Sequence, residues 1–166
     1  MLHPRAALKI RYSFTDFLFY SCLLAVPLFT AVLAIFKHST GWTAAFLLVA
    51  AAMTALILRY FCTHCPHYGR EEKNLTCIFF WRLPKYFSAR PGKPGNLDKV
   101  VSFGAVIILL FFPLHWLLLE PGLLIVCLLS LAGFGAAVYR QECRRCIFFD
   151  CPANRVSVDM KHQAPE

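Results

Sequence analysis

Charged residues are scarce in this sequence, and acidic residues are the scarcest. Only 16% of the 166 residues are charged, nine are Asp or Glu, and 58% are apolar. Soluble globular domains carry about 25% charged and about 45–50% apolar residues. The composition excludes disorder, collagen and coiled coil, and it predicts that residues 1–166 form a single membrane domain.

The motifs of several enzyme classes are absent as well. The sequence contains no Gly-rich phosphate loop, no His-Glu-x-x-His and no nucleophile elbow. Nothing in it therefore indicates a kinase or a hydrolase.

Four long stretches lack any Asp, Glu, Lys or Arg, and each is about as long as a membrane-crossing helix. A helix needs about 17–25 apolar residues to cross the hydrocarbon core, and lipid leaves the backbone only helix or closed barrel. A signal peptide is disfavoured because its apolar region is about 7–15 residues and ends at a small-residue site. We predict spans at approximately 17–36, 42–60, 100–119 and 121–139.

The fold class that follows is all-α. We predict an integral membrane four-helix bundle built from two transmembrane hairpins, each followed by a Cys-x-x-Cys segment. Pro27 and Pro113 interrupt the spans and predict kinks. Small residues in spans two and four predict close helix packing; they are Ala44, Ala45, Ala50, Ala51, Ala52, Gly133, Gly135, Ala136 and Ala137.

Basic residues predict the orientation. Sixteen of the 17 Lys and Arg fall in residues 1–16, 59–99 and 140–166, and only Lys37 lies in an opposite turn. By the positive-inside rule both termini, the Cys-rich loop 61–99 and the tail 140–166 are cytoplasmic. We expect a bacterial or archaeal inner (plasma) membrane, with the lipid bilayer and its anionic headgroups as partners.

The loop after the first Cys-x-x-Cys is rich in aromatic and basic side chains between Phe79 and Phe87. Aromatic rings favour the membrane interface. Aromatic side chains also stack on nucleic-acid bases. The membrane interface explains the same residues without a further ligand, so no nucleic-acid partner is expected.

Cysteine is the most informative residue type. Six of the eight cysteines fall on the side predicted to be cytoplasmic: Cys62, Cys65, Cys77, Cys143, Cys146 and Cys151. Cytosolic thiols are kept reduced, which favours metal coordination or redox chemistry, whereas the opposite orientation would favour three disulfides. Cys22 and Cys127 lie within spans and are expected to be apolar fillers.

Paired Cys-x-x-Cys motifs are typical of zinc sites. Cys62, Cys65, Cys143 and Cys146 predict a four-thiolate site that joins the two hairpins. An iron–sulfur cluster competes for the same ligands, with Cys77 and Cys151 available as well. His64 and His67 are candidates for a mixed site.

Neighbouring arginines are expected to lower the cysteine pKa values. They are Arg59, Arg140, Arg144 and Arg145. In span three, His115 is an ionisable group and so a functional candidate.

The order span, turn, span and Cys-x-x-Cys occurs twice, and Cys-Ile-Phe-Phe occurs at Cys77 and again at Cys146. A parallel repeat would place both cysteine pairs at one end of the bundle.

The cysteine segments resemble those of small four-span prokaryotic membrane proteins with a comparable tail, Cys143-x2-Cys146-x4-Cys151-Pro152-x-Asn154-Arg155-Val156. That resemblance implies no particular chemistry. In size and in its Cys-x-x-Cys pairs the chain also resembles four-helix thiol oxidoreductases of the disulfide-forming and vitamin K reductase type. Its pairs, however, face the basic side, which departs from their pattern.

Three functions remain open from the sequence. The first is a cysteine metal site, zinc or iron–sulfur, with a structural or electron-relay role. The second is a membrane thiol-disulfide oxidoreductase, and the third is transport or delivery of a soft metal. A homo-oligomer or a membrane redox partner would accompany these functions.

Overall fold

The computed structural model describes residues 8–9, 11–69, 74–90, 92–151 and 153–158. Most of these residues are helical. Parts of the predicted loop 61–99 and tail 140–166 lie outside the described residues. They are residues 70–73 and 91 of the loop, and Pro152 and residues 159–166 of the tail.

Within the described residues, four stretches of helix are long and apolar enough to cross a membrane, as the sequence predicts. Two are α1, Phe14–His38, and α2, Thr40–Tyr60. The third is divided into α3, Asn96–Phe111, and α4, Leu114–Leu119. The fourth begins with α5, Pro121–Ala137, and continues to Glu142. These stretches are consistent with an integral membrane protein.

The first helix begins at a side-chain cap and ends at a backbone hydrogen bond from Ser39. The Ser13 hydroxyl accepts a hydrogen bond from Asp16 N, while Ser13 N donates to the Asp16 carboxylate. Such a capping box satisfies two of the N–H groups that a helix start leaves unpaired. Ser39 then ends α1 and starts α2, donating its N–H to Ile35 O and accepting from Trp42 N through its hydroxyl. One residue therefore makes the turn of the first hairpin.

Two prolines have different effects on their helices. Pro27 lies inside the continuous helix α1, and the Thr30 hydroxyl donates to its carbonyl at 2.9 Å. Pro113 falls between α3 and α4, where the helix is broken. The ring of an interior proline removes one N–H and crowds the preceding turn. The helix is broken at Pro113, whereas α1 continues through Pro27.

The most extensive helix packing pairs α1 with α5 and α2 with α3, and α1 also contacts α2 and α4. Helices of different hairpins are therefore the principal partners. One buried cluster on α1 contains Ala34, which contacts Leu117 and Cys127. A second contains Ile35 and Phe46, with Phe112 and Trp116 packed against it. The core of the bundle lies along α1.

Several of the small residues of spans two and four lie outside the packing faces. Gly133 and Gly135 are exposed, and a methyl group at either position would meet no atom within 4 Å. Ala44, Ala51 and Ala52 are exposed as well. The prediction of close packing is wrong at these exposed positions, because α1 buries its own face against α5 while the glycine side of α5 points outward. Ala45, Ala50 and Ala137 are half-buried, and Ala137 packs against the buried cluster of Tyr12, Tyr20 and Ile78.

A short hairpin adds some strand to a fold predicted to be all-α. Strand β1, Asn74–Thr76, pairs antiparallel with β2, Trp81–Pro84. Trp81 contacts Phe14 and Phe17 at the start of α1, and Phe79 contacts Phe134 of α5. The aromatic loop thus packs against one end of the helices, where the sequence places a membrane interface.

Candidate cysteine site

The six predicted site cysteines lie at one end of the bundle, in three segments that we call the cysteine cap: residues 62–69, 74–80 and 143–151. Cys62 begins a short 3₁₀ turn that follows α2. After α5 a π-helical turn, Val138–Glu142, leads into Cys143. All eight cysteines are described, and all are free thiols.

The cap cysteines fall into two groups of three. The first trio is Cys62, Cys65 and Cys77, whose thiols interact electrostatically with one another. The second trio is Cys143, Cys146 and Cys151, related in the same way. Each trio contains one of the predicted Cys-x-x-Cys pairs.

Cys65 belongs to the first trio and Cys146 to the second. The two trios are joined at these residues, because their thiols lie within electrostatic range of each other. The aromatic ring of Phe61 meets that of Phe148 at 5.8 Å beside them. Tyr12 lies against both halves as well: Cys65 and Cys146 both act on its phenol, and its ring is 4.9 Å from that of His67. Cysteines 81 positions apart in the sequence are therefore neighbours.

Backbone N–H groups point at three of these sulfurs. His67 and Tyr68 direct theirs at Cys65, and Phe79 and Phe80 direct theirs at Cys77. In the second copy of Cys-Ile-Phe-Phe, Phe148 N lies 3.4 Å from Cys146 Sγ. Hydrogen bonds to a charged form favour that form, so these N–H groups would stabilise thiolates.

The tail is held by Asn154 and by the N-terminal segment. Asn154 Nδ2 donates to Cys146 O at 2.9 Å and to Phe148 O at 3.0 Å, while Oδ1 accepts from Val156 N. Lys9 N donates to Arg145 O at 2.8 Å, making a parallel bridge to the tail. The loop around Cys146 is thus fixed from both sides.

Replacing Asn154 with Ala is expected to lower the free energy of unfolding by about 1–3 kcal/mol, since partly buried carbonyls would lose their donor. The measurement is denaturant unfolding of the detergent-solubilised protein. Asn74→Ala is the control, because Asn74 is exposed. Equal unfolding curves for the two variants would contradict this account of the tail.

The arginine prediction is wrong. Burial raises the pKa of the Cys65 thiol to about 12, and the neighbouring thiols of Cys146 and Cys77 add to the effect. Burial also raises the pKa of Cys77, Cys143 and Cys146. Arg144 and Arg145 are exposed, so desolvation of the thiolates outweighs the attraction of these cations.

The raised pKa of Cys65 predicts the pH dependence of its alkylation in metal-free wild-type protein. Because the neutral thiol persists until pH approaches 12, its alkylation rate should rise about tenfold per pH unit from pH 7 to about pH 11. Peptide mass spectrometry after timed iodoacetamide exposure measures the rate. The same peptide in denaturant should level off above about pH 9, where an ordinary thiol is ionised. A plateau near pH 9 in the folded protein would contradict the burial of this thiol.

The two predicted histidines lie in different surroundings. His64 has Nδ1 3.2 Å from Gly92 O and Nε2 3.5 Å from Asp98 Oδ2. It lines a cavity of about 360 Å³ together with Cys65 and Arg90. His67 is buried beside Tyr12. His115 stacks edge-on against Trp116 at the opposite end of the bundle.

No group of three or more His, Cys, Asp or Glu side chains has metal-holding geometry among the residues that the structure describes. The thiols are gathered into trios without being in ligating positions. Any ion held here would require the side chains of a trio to rotate towards a common centre.

Sequence reasoning missed Tyr12, Lys9 and Glu142. Glu142 is buried, and its Oε1 accepts hydrogen bonds from Lys9 Nζ at 3.0 Å and Tyr20 OH at 2.9 Å. The sequence contains one feature that could have identified Glu142. It is a carboxylate immediately before Cys143, in a sequence with few carboxylates.

Comparisons of the chain with protein families, with curated proteins and with solved structures find no match.

Proposed function

We propose that this chain is a multi-pass membrane protein whose cysteine cap binds metal through thiolates, with zinc or an iron–sulfur cluster as the alternatives. The observation that supports the proposal is the electrostatic interaction of the Cys65 thiol with the Cys146 thiol, next to the contact of the Phe61 and Phe148 rings at 5.8 Å. The two thiols belong to different Cys-x-x-Cys motifs. Metal thiolates are the chemistry that this spacing typically serves.

The surroundings of the sulfurs support ligation. A thiol must lose its proton to bind a metal, and a coordinating thiol is deprotonated outright. The N–H groups directed at Cys65, Cys77 and Cys146 would stabilise the resulting thiolates. Half-buried free thiols with such donors are more readily explained as ligands than as packing.

The role we propose is structural or electron-relaying. The trios follow α2 and α5, so a metal held by both would tie one hairpin to the other. Structural zinc contributes about 10–16 kcal/mol of binding free energy in small folds. An iron–sulfur cluster at the same place would add electron transfer to a membrane partner.

Thiol–disulfide exchange is less well supported. The attacking group in that chemistry is the thiolate, and burial raises the pKa of Cys65 to about 12. Buried cysteines with raised pKa values are usually inert. Soft-metal delivery uses the same ligands, and uptake assays with cysteine variants distinguish it.

The charge distribution favours a cytoplasmic cap, with both termini on that side. Basic residues near it, including Arg82, Arg144 and Arg145, are exposed and suit anionic lipid headgroups.

Anaerobic purification under reducing conditions, followed by metal analysis and an absorption spectrum, tests the proposal. We expect zinc without visible absorption, or iron with broad visible absorption. Protein with neither metal and with freely titratable thiols would overturn it.

A further inference from the structure

The N-terminal segment contacts the cysteine cap before α1 begins. Lys9 pairs with Cys146 in a parallel bridge, and Lys9 N donates to Arg145 O at 2.8 Å. These contacts are made by the backbone. They place the segment beside Cys146 independently of any side chain.

The Tyr12 side chain is buried among the segments of the cap. Only 8% of Tyr12 is exposed, and it forms a buried cluster with Tyr20 and Ile78. Cys77 packs against this cluster, and the ring of His67 lies 4.9 Å from that of Tyr12. The cluster therefore joins α1, the loop of the β hairpin and the segment after α2. A buried aromatic ring of this size removes a large apolar area from water, so it excludes solvent from the space that it fills.

The Lys9 side chain holds Tyr12 in this position. Lys9 Nζ lies 3.0 Å from Asp16 Oδ1, 3.0 Å from Glu142 Oε1 and 4.9 Å from the centre of the Tyr12 ring. Tyr12 also makes a hydrogen bond to the Glu142 carboxylate. The Glu142 side chain is only 7% exposed. Removal of the ammonium group would leave this buried carboxylate without its cation, which is costly.

We propose that Tyr12 is a plug in the cysteine cap and that the Lys9 ammonium group holds the plug in place. A metal ion or a thiol reagent reaches Cys77 and Cys146 only after the plug has moved. The inference rests on the proposed function in that these thiols are among the proposed ligands, but access to them is measured without metal. Parts of a fold can open without global unfolding, and this opening breaks contacts of the N-terminal segment alone.

Alkylation of metal-free, full-length protein in detergent tests the plug at a single pH. After chelation of any metal, N-ethylmaleimide is added for timed intervals, and peptide mass spectrometry gives the rate at each cysteine. Cys127 is the internal reference, because it is buried where α1, α4 and α5 meet. In wild-type protein we expect increasing denaturant to expose Cys77 and Cys146 before Cys127.

Lys9→Met tests the role of the ammonium group, since it removes the charge and keeps a long side chain. We expect alkylation of Cys77 and Cys146 to become at least about tenfold faster, because Glu142 loses its cation. Cys127 should stay as protected as in the wild type, which shows that the helices remain packed.

Lys37→Met is the matched control. Lys37 Nζ lies 2.8 Å from Glu120 Oε1 at the opposite end of the bundle, so this variant loses an ion pair away from the cap and should react like the wild type. Unchanged rates at both cap thiols in Lys9→Met would overturn the plug. So would wild-type protein in which the cap thiols and Cys127 lose protection at the same denaturant concentration, a result that stands even if Lys9→Met fails to fold. Zinc binding by the wild type, measured separately, shows whether the proposed function fails with it.

Discussion

Substitution of Cys65 and Cys146 by Ser together is expected to remove bound metal from the protein. Cys65 and Cys146 are the residues at which the two trios meet, so the double variant removes one thiol from each trio. Metal content per chain, measured after anaerobic purification, should fall to the level of a metal-free blank.

The same variant should lose metal-dependent stability. A ligand that binds only the folded state stabilises it by about 2.7 kcal/mol when its concentration is 100 times its dissociation constant. Thermal unfolding with and without added zinc should therefore differ for the wild type and coincide for the double variant. Cys22→Ser is the matched control, because Cys22 is exposed on α1. Full metal content in the double variant would contradict the proposal that Cys65 and Cys146 bind the metal.

Replacement of Ala34 by Phe is expected to destabilise the bundle by about 1–3 kcal/mol or more. Ala34 is fully buried where α1 meets α4 and α5, in contact with Leu117 and Cys127. A phenyl ring there would push α5 away from α1. Because the N-terminal segment reaches the tail through Lys9 and Arg145, metal affinity should fall as well.

Ala44→Phe is the control for this variant. Ala44 lies five positions after Ser39, as Ala34 lies five positions before it. Because Ala44 is exposed on α2, the added ring meets lipid or detergent. Unfolding in a denaturing detergent series separates the two variants. Equal stability would mean that α1 does not pack against α5 through Ala34.

The helices were predictable because uncharged runs of membrane length leave few other structures. Kinks were predicted at both prolines, and the helix is broken at Pro113 but continues through Pro27. Which faces pack did not follow: the glycines of α5 favour close approach in general, yet Gly133 points outward. Contact faces depend on the mutual rotation of helices, which composition does not specify.

For the site, the four-thiolate arrangement of Cys62, Cys65, Cys143 and Cys146 stays a prediction, although the Cys65 and Cys146 thiols lie within electrostatic range of each other. The sequence indicated Cys77 and Cys151 as further candidate ligands, but it did not predict the division into two trios, because the hairpin and tail that carry them have no periodic pattern. Glu142 was missed because its partners Lys9 and Tyr20 lie 133 and 122 positions away in the sequence. The pKa directions were mispredicted because burial of a thiol cannot be judged from nearby arginines in the sequence.

X-ray absorption at the metal edge of protein purified with its metal tests the central claim most directly. We expect sulfur scatterers at about 2.3 Å from the ion, at least three for each metal, and their loss in the Cys65→Ser, Cys146→Ser protein. A shell of nitrogen and oxygen alone would contradict a thiolate site in the cysteine cap.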